Sequence, residues 1–320
     1  MLTNKKISVI AICYNDGGCV REMYRRVTEI MAQITPNYEI IYVNDASPDN
    51  ALDILRELAA NDKRLIVINH ARNFGGQNAY AHGLAYCTGD AAITLDGDIQ
   101  DPPEMFPDMV KKWLEGYDVV YGIRQKREGV SFFYQCAYKV FYRVMKKLAS
   151  MRSPVDASDF ALVDRKVINA LTAMPENFRF YRSMRAWVGF KQIGLPYVRL
   201  PRFHGYSSNN FWRNVWWARK AVYDFSEKPL DYVFYASLWM WAVFGLSIVA
   251  LIAVLMFNLN VSLIILGFVP FILLLAAIQL TAVTIVGEYV THIFQEVKRR
   301  SHYITAEIIN DYKGDSFIQK

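Results

Sequence analysis

Asp96-Gly97-Asp98 runs straight into Ile99-Gln100-Asp101-Pro102-Pro103-Glu104 and ends an apolar stretch, Ala91-Ala92-Ile93-Thr94-Leu95, that reads as a buried strand. Carboxylates at the end of a buried strand need a compensating charge, because burying them unpaired costs several kcal/mol each. Two of them one residue apart point to a divalent cation with oxygen ligands, Mg²⁺ or Mn²⁺, which would in turn hold a diphosphate. The plainer alternative is a solvated loop capping the helix that Pro102-Pro103-Glu104 begins. An Asp-x-Asp by itself does not choose between the two.

The elements around this motif must position it. Ile7 to Tyr14, Glu39 to Asp45, Leu65 to His70 and Ala91 to Asp96 are short apolar runs rich in β-branched residues. Helical patterns lie between them at Val20 to Ile34, Asn50 to Ala60 and Gln77 to Cys87. Such alternation predicts an α/β fold, a parallel sheet with helices on both faces, whose ligands sit at the carboxyl ends of the strands. There the chain places Tyr14-Asn15-Asp16, Asn44-Asp45, Arg72-Asn73 and Asp96-Gly97-Asp98, so Asp16 and Asp45 are set to read a base and a ribose. Turn and helix-cap roles are the structural alternative, as probable for Asp49 as a ligand role. No G-x-G-x-x-G follows the first strand, which removes the dinucleotide fingerprint.

At this point a resemblance is carried by particular residues. Tyr14-Asn15-Asp16, Asn44-Asp45-Ala46-Ser47-Pro48-Asp49, Arg72-Asn73-Phe74-Gly75, Asp96 to Pro103, Tyr121-Gly122-Ile123-Arg124, Ser158-Asp159-Phe160, Arg202-Phe203-His204-Gly205-Tyr206-Ser207 and Phe225-Ser226-Glu227-Lys228-Pro229-Leu230 stand in order along essentially the whole chain. The pattern resembles the inverting family 2 glycosyltransferases with the GT-A fold. Within them it is similar to the polyprenyl-phosphate glycosyltransferases, the group of dolichol-phosphate mannose synthases and bacterial undecaprenyl-phosphate glucosyltransferases. Asp16, Ala11, Ala46 and Ser208 stand where the family usually has Glu, Pro, Gly and Lys, departures that bear on donor specificity.

The resemblance implies metal-dependent, inverting transfer of a hexose from a nucleotide-diphosphate sugar, UDP-glucose or a related one, to a polyprenyl phosphate such as undecaprenyl phosphate. The product would be a lipid-linked sugar for cell-surface glycan modification, made by a homo-oligomer, a tetramer. It implies Asp96, Asp98 and Gln100 as metal ligands and Tyr14, Asn73, Gly97, Arg124 and Arg202 beside Asp16 and Asp45 at the donor. Arg127, Lys126 and Ser207 would dock the acceptor phosphate. Guanidinium forks suit phosphate, although a surface ion pair is the dull alternative for Arg124 or Arg202.

Composition agrees with a membrane-attached enzyme. Of 320 residues, 53% are hydrophobic, and the excess lies at the carboxyl end. No charged residue occurs in 232–257 or 261–287, and each span is long enough to cross a bilayer. The expected arrangement is a catalytic domain over 1–227, a two-helix transmembrane hairpin over 228–290 and a cytoplasmic tail over 291–320. Lys228 and Lys298-Arg299-Arg300 flank the pair and place both outer ends, and the catalytic domain, in the cytoplasm at the inner membrane. Lys5-Lys6 leads into an apolar run too short for a cleavable signal. Cys13, Cys19, Cys87 and Cys136 lack metal-ligand spacing and fit a reduced compartment.

The net charge of +6 invites a nucleic-acid reading, but the basic residues at about 131–149 and 209–226 alternate with Phe, Tyr and Trp. That mixture describes helices lying in a membrane interface, with core packing of the aromatic stripe as the alternative. No nucleic-acid partner is expected. The acceptor decides whether a base is needed. A sugar hydroxyl must lose a proton as it attacks, whereas a phosphate monoester with a second pKa of about 6 is already ionised at neutral pH. Asp159 and Asp101 are candidate bases or orienters. Two other readings differ in class. A processive polysaccharide synthase would need more spans and a Gln-x-x-Arg-Trp motif, which Arg185-Ala186-Trp187 does not supply. A non-catalytic binding protein would have no need of Asp96, Asp98 and Gln100.

Overall fold

The computed structural model describes residues 1–124, 157–176, 179–199, 228–256 and 261–313. The expected interfacial helices lie outside them, as do Lys126, Arg127, Arg202, Ser207 and Cys136. The chain divides into two compact units, a sheet-based unit that takes in residues 1–124, 157–176, 179–199 and 300–313, and a helical unit that takes in 228–256 and 261–298.

In the first unit, strands and helices alternate as the apolar periods require. β1 (Ile7–Cys13), β2 (Tyr38–Asn44), β3 (Leu65–His70) and β4 (Ala91–Asp96) are almost wholly buried. They read as unbroken apolar runs because helices cover both of their faces. α1 (Gly17–Ile34) buries Cys19, Val20, Met23, Val27, Met31 and Ile34, a three-to-four spacing that lays one stripe on the sheet. α2 (Ala51–Asn61) and α3 (Gly76–Tyr86) complete the alternation. After β4 a 3₁₀ turn at Pro103–Met105 leads into α4 (Phe106–Leu114) and β5 (Val119–Arg124). β6 (Ala157–Asp164), α5 (Arg165–Ala173), α6 (Tyr181–Trp187) and β7 (Gln192–Tyr197) follow.

Among the described residues these strands and β8 (Thr305–Ile309) form one sheet of order β7-β5-β6-β4-β1-β2-β3-β8. The sheet is mixed, not parallel throughout: β6 runs antiparallel to β4 and β5, and β8 antiparallel to β3. The parallel core is β4-β1-β2-β3, where Cys13 pairs with Asn44 and Ile12 with Asp96. Their carboxyl ends therefore finish level, and the loops after them open on one edge.

Within the expected tail over 291–320, the described residues include the end of a long helix and a strand, β8. Residues up to Lys298 continue a helix, and the chain then returns to the sheet. Arg56 pairs with Glu307 at 2.5 Å, the Asn310 amide donates to the Ala59 and Leu65 carbonyls at 2.7 and 2.8 Å, and the Tyr86 hydroxyl donates to Asp311. Without β8, β3 would present an open strand edge, and the pairing satisfies backbone groups that would otherwise be left exposed.

In the second unit, α7 (Lys228–Met256, 29 residues) and α8 (Val261–Lys298, 38 residues) pack against one another. The expected spans 232–257 and 261–287 fall on these helices, and the intervening residues 257–260 lie outside the described ones. Among the described residues, one stretch, Leu274–Lys298, is long and apolar enough to cross a membrane.

Candidate active site

Two close approaches shape the loop after β4. The Gly97 amide donates to the Ile12 carbonyl at 2.9 Å, and a Cβ on Gly97 would stand 2.5 Å from that oxygen. The middle residue of Asp-Gly-Asp is thus dictated by the crossing of β1. Ile99 then takes φ 63°, a left-handed conformation rare for a β-branched residue, although its side chain is buried. The sharp turn brings Asp98 and Asp101 back toward Asp96.

These three carboxylates gather around one guanidinium, that of Arg199. Asp98 and Asp101 are 3% and 1% exposed. Asp96 accepts from the Tyr80 hydroxyl at 2.7 Å, and Asp98 from the Gln100 amide at 3.2 Å. Asp101 accepts from the Tyr197 hydroxyl at 2.6 Å, and that oxygen in turn accepts from Arg124 Nε at 3.2 Å. Asp101 Oδ2 is buried with no hydrogen-bond partner among the described residues. Arg199 supplies the nearby positive charge, with Nη2 3.5 Å from Asp96 and 3.9 Å from Asp98, and Nε 3.9 Å from Asp101. Burial, then the charges of Asp101 and Asp98, push the Asp96 carboxyl up to about 7. Burial likewise raises Asp101 above its usual range. A cluster that strains toward protonation is short of positive charge, and its donor set is oxygen alone, the preference of Mg²⁺ and Mn²⁺. Among the described residues no group of three or more His, Cys, Asp and Glu side chains is arranged to hold a metal. The fit is therefore to an ion held by one or two carboxylates with its remaining positions open to other oxygens, the usual manner of Mg²⁺.

The other expected residues divide among different surroundings. Asp45 is 2% exposed and accepts from His70 Nδ1 at 2.8 Å, the Phe74 amide at 2.8 Å and the Gly75 amide at 2.7 Å. His70 Nε2 meets His82 Nδ1 at 3.0 Å, and the Tyr303 ring stacks on His82. Burial, with His70 beside it, holds His82 down to about 3. Asp45 therefore anchors the turn in which Gly75 adopts φ 91°. Asp49 accepts from the Gly17 and Ala51 amides, fixing the starts of α1 and α2, which is the cap role weighed for it. Tyr14 and Asn73 are exposed at the edge, and Asp16 is half-buried at the start of α1.

Asp159 belongs to a separate group. It pairs with Arg182 at 3.1 Å and accepts from the Gln77 amide at 3.1 Å. Burial works against its charge, but the guanidinium groups of Arg182 and Arg185 hold it below the usual carboxylate range. Held in its charged form by two guanidinium groups, Asp159 is suited to orienting a cation rather than to accepting a proton. Tyr197 and Arg199 carried no sequence signal. They lie about a hundred residues from Asp96 and Asp101, and only the pairing of β7 with β5 brings them in.

Comparison with known proteins agrees with this architecture. Residues 8–172 match glycosyl transferase family 2. The uncharacterized glycosyltransferase YkcC of Bacillus subtilis is 37% identical over 300 residues, 93% of this chain and 92% of that one. The putative glycosyltransferase CsbB of Bacillus subtilis is 31% identical, covering 94% and 91%. The prophage-derived bactoprenol glucosyl transferase of Shigella flexneri is 31% identical, covering 93% and 97%. Among solved structures, glucosyl-3-phosphoglycerate synthase from Mycobacterium tuberculosis is similar at a TM-score of 0.48 and 17% identity over 68% of this chain and 78% of that one, a likeness too slight to argue from. The family match and the near end-to-end relatives, set beside a GT-A-like α/β sheet with acidic groups at its strand ends, place this chain in glycosyl transferase family 2.

Proposed function

We propose that this glycosyltransferase moves a hexose, with inversion, from a nucleotide-diphosphate sugar to a polyprenyl phosphate at the cytoplasmic face of the inner membrane, the donor being UDP-glucose or a related sugar. The observation that carries the reading is the cluster of buried Asp98 and Asp101 and half-buried Asp96, with Arg124 and Arg199 beside it, in a chain aligned nearly end to end with a bactoprenol glucosyl transferase. Asp98 and Asp96, with Gln100, would hold a Mg²⁺ or Mn²⁺ ion. Such an ion neutralises charge developing on the nucleoside diphosphate as it leaves. Arg124, fixed through Tyr197 to Asp101, presents its remaining N–H groups to phosphate oxygens. Asp16 and Tyr14 face the nucleoside, while Asp45 holds the turn that closes that side. The nucleophile is an ionised phosphate oxygen, so no residue need remove a proton, and Asp159 serves to orient Arg182.

The α7–α8 pair serves as a membrane hairpin in this reading, supported by the apolar stretch in α8 and by the basic residues after it. The test is to incubate the purified full chain with undecaprenyl phosphate and a panel of UDP- and GDP-sugars, with and without Mn²⁺, and to weigh the lipid product. One hexose added to the lipid in a metal-dependent manner is the expected result. No lipid-linked sugar with any donor, or transfer to sugar hydroxyls instead, overturns the reading.

A further inference from the structure

We propose that Arg199 is the resident cation of the Asp96–Asp98–Asp101 cluster, occupying with its guanidinium the place a divalent ion takes, so that the two exchange. The inference rests on the reading of Asp96 and Asp98 as the residues that hold the ion.

Arg199 touches all three carboxylates but is locked to none. Its approaches of 3.5, 3.9 and 3.9 Å exceed the 2.8 Å at which Arg25 meets Glu29 on the surface of α1. Charge-assisted hydrogen bonds are short when the fork and carboxylate are matched, so contacts of this length are attraction without a fixed geometry. Arg199 Nε and Asp101 Oδ2 are both buried without a hydrogen-bond partner among the described residues. Among the described residues, each retains bonding capacity that is not used. The Arg199 side chain is 17% exposed, and Arg199 stands two residues beyond the end of β7 at Tyr197. Moving its side chain breaks no hydrogen bond of the sheet ladder, because Arg199 is not a member of β7.

Charge then sets the order of events. Three carboxylates face two guanidinium groups, Arg199 among them and Arg124 beyond Tyr197, and the excess of negative charge favours a divalent ion. Guanidinium and ion cannot both sit among the carboxylates about 4 Å apart without strong repulsion. A diphosphate would resolve this, because its oxygens would accept the Arg199 guanidinium while Asp96 and Asp98 would be left to hold the ion. Ion and nucleotide therefore bind with positive coupling, and that coupling is reciprocal.

The test is Mn²⁺ binding, followed by the free-ion magnetic resonance signal, to the full chain in detergent without nucleotide and then with UDP or GDP, whichever the donor panel identifies. Arg199→Gln removes the charge and should bind Mn²⁺ alone at least about tenfold tighter than the parent, with the enhancement by nucleotide reduced by a similar factor. Arg199→Lys keeps the charge and should stay within about twofold of the parent. Thermal melting of each variant checks that it is folded. Unchanged or weaker Mn²⁺ binding by folded Arg199→Gln, or tightening by Arg199→Lys as well, overturns the exchange. Asp98→Asn separates this from the underlying reading: loss of Mn²⁺ binding there, with no tightening in Arg199→Gln, defeats the exchange alone. Mn²⁺ binding that ignores Asp98→Asn, or no saturable binding by any form, defeats both.

Discussion

One carboxylate and a cluster of three sit along the same edge of the sheet, and they are built to opposite ends. Asp45, after β2, is enclosed by two backbone amides and a histidine, all within 2.8 Å. Asp96, Asp98 and Asp101, at and after the end of β4, share one loosely placed guanidinium, a tyrosine each for two of them, and a buried oxygen without a partner among the described residues. A satisfied buried carboxylate fixes a backbone. A crowded and under-satisfied set is a standing demand for positive charge, which makes it a site for chemistry. The difference also shows how to tell the two apart: count the donors aimed at each oxygen, not the acidic residues.

The sharpest way to break the comparison is at the two aspartates themselves. Asp98→Asn should lower lipid-linked product formation at least about 100-fold, as expected when charge stabilisation of a leaving group is lost, while the melting temperature stays level. A folded variant with near-normal, chelator-insensitive turnover would remove Asp98 from the chemistry. Asp45→Ala should do the reverse and destabilise the sheet unit by about 2–3 kcal/mol in denaturant titration, because two buried amides lose a charged acceptor. Unchanged unfolding would mean that Asp45 does not anchor the Phe74–Gly75 turn.

Acidity distinguishes the regions next. In metal-free protein the Asp96 carboxyl, raised to about 7, binds a proton more tightly folded than unfolded, where its value is about 3.9. Its contribution to stability is full below about pH 4 and is lost as pH rises toward 7. Asp96→Asn should therefore flatten the pH slope of unfolding in that window. Glu39 has the opposite sign. Burial opposes its charge, yet Lys6, Thr88 and Ser8 hold its carboxyl below the usual range. Its stabilisation is present above the unfolded value of about 4.3 and fades as pH falls through the lower folded value. Glu39→Gln should lose stability mainly above pH 5, on the order of 1 kcal/mol. Equal slopes in the two variants would erase the contrast.

The smallest effect concerns backbone. Each group is followed by a left-handed residue, Ala46 at φ 51° after Asp45 and Ile99 at φ 63° after Asp98. Ala46→Gly should stabilise by no more than about 1 kcal/mol, the relief of a left-handed Cβ less the greater freedom of glycine when unfolded. A loss of stability in calorimetry would show that the Ala46 methyl packs usefully.

Much of the first region was legible in the chain. The apolar runs of β1 to β4 and the helical stripes between them are local patterns, and their ends fell within a few residues of those expected. So was the acidic turn, because Asp96-Gly97-Asp98 interrupts a strand that burial makes conspicuous. The use made of Asp45 was not legible, since its partners His70, Phe74 and Gly75 become neighbours only when β2 and β3 pair. The expected tail is likewise a strand of the sheet, and nothing within Thr305–Ile309 identifies β3 as its neighbour.

By itself, then, the sequence determined what depends on nearest neighbours and periodicity: which segments become strands, which faces are apolar, where carboxylates cluster at a strand end, and the order of motifs that marks the family. Tertiary structure alone decided which charges meet. Tyr197 and Arg199 reach Asp101 and Asp96 across about a hundred residues because β7 adds beside β5, while Asp159, also at a sheet position, is drawn off to Arg182 and Gln77. A carboxylate's acidity and role are set by the groups within a few ångströms of it, and those distances exist only once the sheet has formed.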